Sequence, residues 1–142
     1  MKKVSEILSR KGSSVISVTP EAIVIDALKI MADKNIGSVM VMDGSHYCGL
    51  LTERDYARKV ILKGKASSDT LVKDIMSNDL PHISRETSID DCMQLMSDNN
   101  LRYLPVFDQD KVVGIISIND VIKAVIANHQ DTIAQLENYI QS

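Results

Sequence analysis

The chain has 142 residues, of which 44% are hydrophobic, and a formal net charge of −3. That length suits about one ordinary domain with a real core. The acidic balance gives no electrostatic case for nucleic acid or an anionic membrane, and no apolar run approaches the ~20 residues that span a bilayer. The start of the chain has no apolar signal segment. Its two cysteines, Cys48 and Cys92, match no metal or redox spacing, and the three histidines lie far apart. We therefore expect a cytoplasmic protein with no metal site.

The first half of the chain predicts the order β-α-β-β-α. Thr19 is a good N-cap for the first helix, and Pro20 and Glu21 suit its first turn. A second helix is expected to begin at Thr52. The three strands are predicted at 15–18, 38–42 and 47–51, with the last two joined by a turn at Asp43-Gly44.

The second half repeats that order at an offset of 65 residues. Segment 114–120 (GIISIND) matches 49–55 (GLLTERD), and the register holds without a gap for about forty residues. Here Ser84 is expected to cap the first helix and Ser117 to begin the second. Pro105 cannot donate to a β-ladder, so its strand is predicted to be an edge there. The strands are expected at 81–83, 103–107 and 112–116.

Internal repetition of this kind fixes the architecture. We predict an α+β fold (α/β-like) in which two β-α-β-β-α repeats pack around a pseudo-two-fold axis. The expected segments are repeat 1 at 1–65, repeat 2 at 66–128 and a helical extension at 129–142. Each repeat alone would be marginally stable. The extension continues the apolar pattern, so we expect it to dock on the protein or, as the favoured alternative, to form a dimer contact.

Each half carries the motif Gly-apolar-apolar-Thr/Ser-x-x-Asp where a strand passes into a helix. One interpretation is a capping box, in which Thr52 or Ser117 caps the helix and Asp55 or Asp120 returns a hydrogen bond. The other is a ribonucleotide site. The helix N-terminus suits phosphate, the hydroxyl can donate to it, and the carboxylate can accept from both ribose hydroxyls. The residues alone leave both open, with room for a base expected beside Gly49 and Gly114.

The tandem order, the doubled motif and the segment 102–106 (RYLPV) resemble a pair of cystathionine-β-synthase (CBS) domains, over about residues 1–128. The resemblance implies a Bateman module, whose cleft between the two domains binds an adenosine-containing ligand: AMP, ADP, ATP, NAD(H) or S-adenosylmethionine. Such modules commonly pair into flat dimers and regulate an attached enzyme, channel or transporter. With nothing attached, this chain looks like the stand-alone bacterial CBS-pair proteins.

The resemblance also implies two ligand sites. In one, Asp120 holds ribose and Ser117 phosphate, with Asn119 beside them; in the other, Asp55 and Thr52 take these roles. The remaining candidates are strand residues near the base and cations near the phosphate: Ser17, Ser38, His82, Ile83, Tyr103, Pro105, Arg54, Arg58 and Arg102.

The first copy departs from the family pattern at two positions. It has Met40 where the second has Pro105, and Gly37 where the second has Arg102. We therefore expect the site around Asp120 to bind more strongly.

These features predict a regulatory protein rather than an enzyme. It would sense energy or redox state by binding an adenine nucleotide, act as a homodimer and signal to an unidentified partner protein. No nucleophile–base pair, Walker loop or zinc motif is present in the sequence, so no catalytic residue and no catalytic cofactor are expected. The alternative is a dimerisation or interaction scaffold that works without a ligand, which the capping-box interpretation permits. Neither nucleic acid nor a membrane is expected as a partner.

Overall fold

The computed structural model describes residues 2–12 and 15–141, so Ser142 of the predicted extension lies outside it. Short π-helical and 3-10 turns occupy Ala57–Ile61 and Val72–Asp74. In chain order the helices and strands are α1 (Val4–Lys11), β1 (Ser17–Val18), α2 (Val24–Lys34), β2 (Ser38–Asp43), β3 (His46–Thr52), α3 (Glu53–Tyr56), β4 (Ile83–Ser84), α4 (Ile89–Asn99), β5 (Tyr103–Asp108), β6 (Lys111–Ser117) and α5 (Ile118–Gln141).

The strands form two three-stranded sheets of the same design. Their orders are β1-β2-β3 and β4-β5-β6. In each, the first pair is parallel and the second antiparallel, and a bulge follows Val41 in one and Val106 in the other. The predicted β-α-β-β-α repeat is therefore confirmed.

The compact units of the chain differ from the expected segments 1–65 and 66–128. One unit spans residues 15–80, and the other joins α1 to everything from Pro81 onward. Backbone hydrogen bonds explain the exchange: the Val4 amide donates to the Thr87 carbonyl at 2.9 Å, and the Val72 amide to the Ala22 carbonyl at 2.8 Å. Each unit therefore takes one segment from the sequence of the other repeat.

Each unit has its own hydrophobic core. The first helices of the two repeats bury equivalent positions at helical spacing. These are Val24, Ala27 and Met31 on α2, and Ile89, Cys92 and Met96 on α4.

The helix that follows β1, α2, begins later than predicted. Thr19 and Pro20 precede it in a turn, and α2 starts at Val24 after Ile23, which makes no side-chain cap. The amide of Val24 instead donates to the carbonyl of Thr70 at 2.9 Å. Because a distant carbonyl satisfies this amide, the local capping signal at Thr19 was misleading.

The predicted cap of the equivalent helix was also wrong. Ser84 lies in β4, and Ser88 caps α4 by accepting a hydrogen bond from the Asp91 amide at 3.0 Å. Both helices end at an asparagine. Asn35 and Asn100 adopt left-handed conformations, with φ of 54° and 53°.

Pro105 lies in β5, the central strand of its sheet, but at Pro105 itself β5 is paired only with β6, so the strand is an edge there as predicted. Its missing N–H shortens the ladder. At the equivalent position of the other sheet, the Met40 amide donates to the Ile16 carbonyl at 3.0 Å. The pairing of β4 with β5 begins one position later, at Val106.

The predicted extension 129–142 is a direct continuation of α5, which runs as one helix from Ile118 to Gln141. Several of its aliphatic side chains are exposed. Among the described helices, none combines the length and apolar character needed to cross a bilayer.

Candidate functional site

Both copies of the motif turn from strand into helix through a reciprocal capping box. The Thr52 Oγ1 accepts from the Asp55 amide at 3.0 Å, and the Asp55 Oδ2 accepts from the Thr52 amide at 3.1 Å. In the second copy, the Ser117 Oγ accepts from the Asp120 amide at 3.2 Å and the Asp120 Oδ2 from the Ser117 amide at 2.9 Å. The capping-box interpretation is therefore confirmed in both copies.

A second backbone contact engages the start of each of these helices. The Glu53 amide donates to the Gly37 carbonyl at 3.1 Å, and the Ile118 amide to the Arg102 carbonyl at 2.8 Å. The first and third amides of each helix are thus already bonded within the chain. Phosphate recognition here would depend more on cationic side chains than on free helix amides.

Asp55 is closed off by its own unit. Its side chain is 8% exposed. Its Oδ2 also accepts from the Thr52 hydroxyl at 3.0 Å, while Oδ1 accepts from the Ser77 hydroxyl at 2.8 Å and lies 3.0 Å from the Lys59 Nζ. Both oxygens have two partners, so a ribose could bind Asp55 only by displacing some of them.

Asp120 is more open. Its side chain is 20% exposed, and its Oδ2 lies 2.8 Å from the Lys11 Nζ. The Lys11 Nζ and the Ser117 amide both donate to Oδ2. No residue in the described part of the chain donates a hydrogen bond to Oδ1. Burial by itself would raise the pKa of this carboxyl, but the hydrogen bonds from Lys11 and Ser117 and the charge of Lys11 outweigh it, so the pKa is lowered.

A cavity of about 350 Å³ opens beside Asp120, and we call it the Asp120 cavity. Its volume lies within the range of small-molecule sites. Three cations surround one carboxylate in its wall, an arrangement suited to an anionic ligand that also carries hydroxyls. The lining residues are Ile7, Arg10, Lys11, Asp120 and Lys123.

Sequence reasoning missed these three cations. Lys123 lies one turn after the motif on α5, while Arg10 and Lys11 come from α1, in the sequence of the other repeat. The signal was available in the sequence. The opening segments of the two halves, 4–8 (VSEIL) and 72–76 (VKDIM), are similar and lie 68 residues apart. At that offset, Asn78 and Asp79 stand where Arg10 and Lys11 stand. Only the Asp120 copy therefore has cations at these positions.

Strand pairing brings other candidates to the motif. Ser38 lies opposite Thr52, and Tyr103 lies opposite Ser117. The exposed Asn119 and the partly buried Arg54 lie in the first turns of α5 and α3, and the exposed Arg102 precedes β5.

The remaining candidates are placed less favourably. Ser17 is exposed at the start of β1, and Arg58 is exposed on the π-helical turn. The exposed His82 stacks on the ring of Phe107, with centroids 4.0 Å apart. Ile83 is 5% exposed and belongs to the core, so its side chain is not available to a ligand, and Pro105 is also buried.

The two motif glycines do not leave room for a base. A Cβ on Gly49 would lie 2.6 Å from the Ser77 carbonyl oxygen, and one on Gly114 would lie 2.8 Å from the Leu8 Cδ2. The chain itself fills the space beside both, so close packing is the reason for glycine at these positions.

No group of three or more His, Cys, Asp and Glu side chains suited to a metal ion occurs within residues 2–12 and 15–141. Of the cysteines, Cys92 is fully buried on α4. Its burial and the nearby Asp91 raise the pKa of its thiol to about 11, so it is un-ionised at neutral pH.

Both repeats match the family model of the CBS domain, at residues 4–62 and 72–127. The fold is similar to that of a CBS-domain protein from Burkholderia ambifaria, with a TM-score of 0.84 and 43% identity over 88% of this chain and 94% of that one. The sequence is 37% identical to the mitochondrial CBS domain-containing protein CBSX3 of Arabidopsis thaliana, over 97% of this chain and 71% of that protein. It is 30% identical to the CBS domain-containing protein YhcV of Bacillus subtilis, over 82% and 83%.

Proposed function

Since the chain belongs to the CBS-domain family, we propose that it is a regulatory protein that binds an adenine nucleotide in the Asp120 cavity. CBS pairs are in general regulatory modules that bind adenosine ligands. The observation that carries the proposal for this chain is the open carboxylate of Asp120 beside three cations.

Different residues of the cavity contact the ribose, the phosphate and the base of the nucleotide. The Asp120 Oδ1 accepts from ribose hydroxyls, and the Ser117 hydroxyl donates to phosphate. Arg10, Lys11 and Lys123 neutralise the phosphate oxygens, with Arg10 best suited to a bidentate contact. The base lies along the strand region of Tyr103. In binding, Lys11 transfers from the carboxylate of Asp120 to the phosphate.

The charge of the lining selects among the family's ligands. Three cations and one carboxylate leave a net positive cavity, which favours ligands that carry phosphate. AMP, ADP, ATP and NAD(H) all meet this requirement. S-adenosylmethionine carries a sulfonium cation instead, so we expect it to bind more weakly.

The site at Asp55 contributes less than the Asp120 cavity to nucleotide binding. Its carboxylate is 8% exposed and has both oxygens engaged, so a ligand there would first have to break contacts that stabilise the unit. We propose that it binds weakly or stays empty.

The protein acts on an unidentified partner protein in the cytoplasm, as a homodimer and without catalysing a reaction. Nucleotide occupancy is the signal, since binding changes the contacts of Lys11 and so of α1. The exposed apolar side chains of α5 support the homodimer.

A ligand-independent scaffold is the second candidate function. The observation in its favour is that both capping boxes are complete without a ligand. In that case Asp55 and Asp120 would serve only to start their helices, and α5 would carry the interaction.

A thermal-shift panel on the ligand-free protein tests the proposal. It would contain AMP, ADP, ATP, NAD, NADH and S-adenosylmethionine. A ligand at 100 times its dissociation constant stabilises the folded state by about 2.7 kcal/mol, which is readily seen as a rise in Tm. We expect a rise with one or more of the phosphate-bearing ligands. No rise with any of them would favour the scaffold.

A further inference from the structure

The helix that follows the motif takes a different form in each copy. After Asp120 it is regular α-helix throughout α5. After Asp55 it widens into the π-helical turn Ala57–Ile61, and the Leu62 amide donates to the Ala57 carbonyl, five residues back, at 3.0 Å. Such turns are rare and occur most often at functional sites. The cause of the wider turn therefore lies in residues that the first copy does not share with the second.

The 65-residue offset shows which residue differs at the core. Lys59 stands where the second copy has Ala124, which is completely buried in the core of its unit. A regular α-helix would carry Lys59 into the same apolar position, where an ammonium group is costly to bury. In the wider turn the Lys59 side chain is instead 43% exposed, and the next residue, Val60, is completely buried. The π-helical turn thus replaces a lysine by a valine at the core.

The same turn brings Lys59 to the motif carboxylate. Its Nζ lies 3.0 Å from the Asp55 Oδ1 and donates to the Ile75 carbonyl at 3.0 Å. The Ser77 hydroxyl donates to the same Oδ1 at 2.8 Å. In the second copy the corresponding oxygen, Oδ1 of Asp120, receives no hydrogen bond from any described residue. Lys59 and Ser77 therefore account for the difference between the two carboxylates at this oxygen.

We propose that Lys59 is the residue that closes the Asp55 site. It widens the helix because it is costly to bury, and together with Ser77 it supplies from within the chain the hydrogen bonds that ribose hydroxyls would supply to Oδ1. Without these two groups, Asp55 would have one open oxygen, as Asp120 has, and would bind a ribonucleoside. The ribose ligand of this second site rests on the proposed function, whereas the cause of the π-helical turn does not.

Charge determines which ligand the opened site would hold. In the first copy, Asn78 and Asp79 stand at the positions of two cations of the Asp120 cavity, at the 68-residue offset. A neutral and an acidic residue therefore replace two groups that favour phosphate. Removal of Lys59 would take a further positive charge from beside Asp55. We expect the opened site to prefer an uncharged nucleoside such as adenosine to AMP or ATP.

Lys59→Ala tests the cause of the π-helical turn, because it gives the first copy the residue of the second. NMR couplings across hydrogen bonds, from amide nitrogen to carbonyl carbon, identify the carbonyl that each amide meets. We expect the coupling of Leu62 with Ala57 in wild type and in Lys63→Ala, which removes an exposed lysine just beyond the turn. In Lys59→Ala we expect the Ile61 amide to meet the Ala57 carbonyl instead. A π-helical turn that persists in Lys59→Ala, or is absent from wild type, would overturn the proposal.

The double variant Lys59→Ala with Ser77→Ala tests the closure of Asp55. A 1H–15N NMR titration with adenosine, followed at the amides of Thr52 and Asp55, measures binding at this site. We expect an affinity at least about tenfold above that of wild type, since two hydrogen bonds to a charged oxygen no longer have to be broken. Adding Asp55→Ala should abolish the gain. No gain, a gain that survives Asp55→Ala, or tighter binding of AMP than of adenosine at these amides would overturn the proposal.

Two single variants keep the test decisive. Lys59→Ala alone retains the Ser77 hydrogen bond, so it should show part of the gain even if the double variant does not fold. Lys59→Arg keeps a cation that is also costly to bury, and it should keep both the π-helical turn and the closed site. An open site in Lys59→Arg would contradict the proposal.

Failure of the proposed function has a different signature. It would leave the amides of Ser117 and Asp120 without a response to AMP and ATP in wild type and variants alike. The helix couplings and the adenosine response at Asp55 would still follow Lys59. A wild type that binds nucleotide at Asp120, with variants that gain nothing at Asp55, would instead overturn the role of Lys59 alone.

Discussion

The Nζ of Lys11 lies 2.8 Å from the Oδ2 of Asp120, so a cation from the first helix of the chain neutralises the motif carboxylate of the second repeat. Lys11 also donates to the Ile115 carbonyl at 3.0 Å. A nucleotide would replace this pair with two others, one from ribose to Asp120 and one from phosphate to Lys11. Under the proposed function, nucleotide binding would thereby be coupled to the position of α1.

Lys11→Met should raise the pKa of Asp120 toward its ordinary value, because it removes a hydrogen bond and a charge that lower it. Lys123→Met is the matched control: it lines the same cavity but makes no hydrogen bond or ion pair with Asp120. Carboxyl 13C NMR titration of Asp120 measures the change. An equal rise in both variants would show that the Lys11 contact is not the cause.

The same pair should affect acid stability with a definite sign. A carboxyl whose folded pKa is lowered stabilises the folded state above its ordinary pKa, here 3.8, and loses that contribution as pH falls through the lower folded value. The free energy of unfolding of wild type should therefore exceed that of Lys11→Met at pH 7, and the difference should shrink as the pH falls below about 4. Urea unfolding over this pH range measures it, and a difference that grows toward acid would contradict the account.

Asp55→Ala and Asp120→Ala should differ in stability, because the same motif residue is closed in one copy and open in the other. Asp55→Ala removes a helix cap, takes the carboxylate acceptor from the Ser77 hydroxyl and leaves the Lys59 Nζ with the Ile75 carbonyl alone, and we expect a loss of about 2 kcal/mol. Asp120→Ala removes mainly a helix cap, with an expected loss of about 1 kcal/mol. Urea unfolding of both at pH 7 compares them, and equal losses would mean that the two sites are equally buried.

The two motif glycines should respond unequally to alanine. At Gly49 the new methyl group would meet the Ser77 carbonyl at 2.6 Å, where the backbone bonds between Leu50 and Ser77 hold the chain. At Gly114 it would meet the end of the Leu8 side chain, which can rotate away. We expect losses in the free energy of unfolding of about 3 kcal/mol and at most about 1 kcal/mol respectively. The reverse order would refute this explanation of the glycines.

The two thiols should react at different rates. Cys92 is fully buried and its pKa is raised to about 11, so it has little thiolate and no access to reagent. Cys48 is partly exposed. With Ellman's reagent at pH 8 we expect one thiol per chain to react in the native state and the second only in denaturant. Cys48→Ser should abolish the native reaction, and two fast thiols would contradict the burial of Cys92.

The repeat explains how much of the fold could be predicted. The 65-residue offset and the alternation of strand and helix signals are local features of the sequence, and they predicted the strands of both hairpins to within a residue. The packing of α1 with the second repeat could not be predicted from such local features. It depends on backbone bonds such as that from Val4 to Thr87, and backbone groups carry no sequence signal.

In the candidate site, too, contacts between residues close in the sequence could be predicted, and contacts between distant residues could not. The capping boxes of Thr52 and Ser117 were expected, since their partners lie three residues away. The cations Arg10 and Lys11 were not, because they reach Asp120 from more than a hundred residues away along the chain. Thr19 failed as a cap for the same reason: a distant carbonyl, that of Thr70, satisfies the helix it precedes.

The most direct test of the central claim is isothermal titration calorimetry of ATP and AMP into the ligand-free wild type, Asp120→Ala and Asp55→Ala, each checked for folding by circular dichroism. The account predicts that wild type binds at least one of the two nucleotides, that Asp55→Ala retains this binding, and that Asp120→Ala weakens it by at least about tenfold, as expected for loss of a charged hydrogen-bond acceptor. No binding to wild type, or binding that depends on Asp55 and not on Asp120, would contradict it.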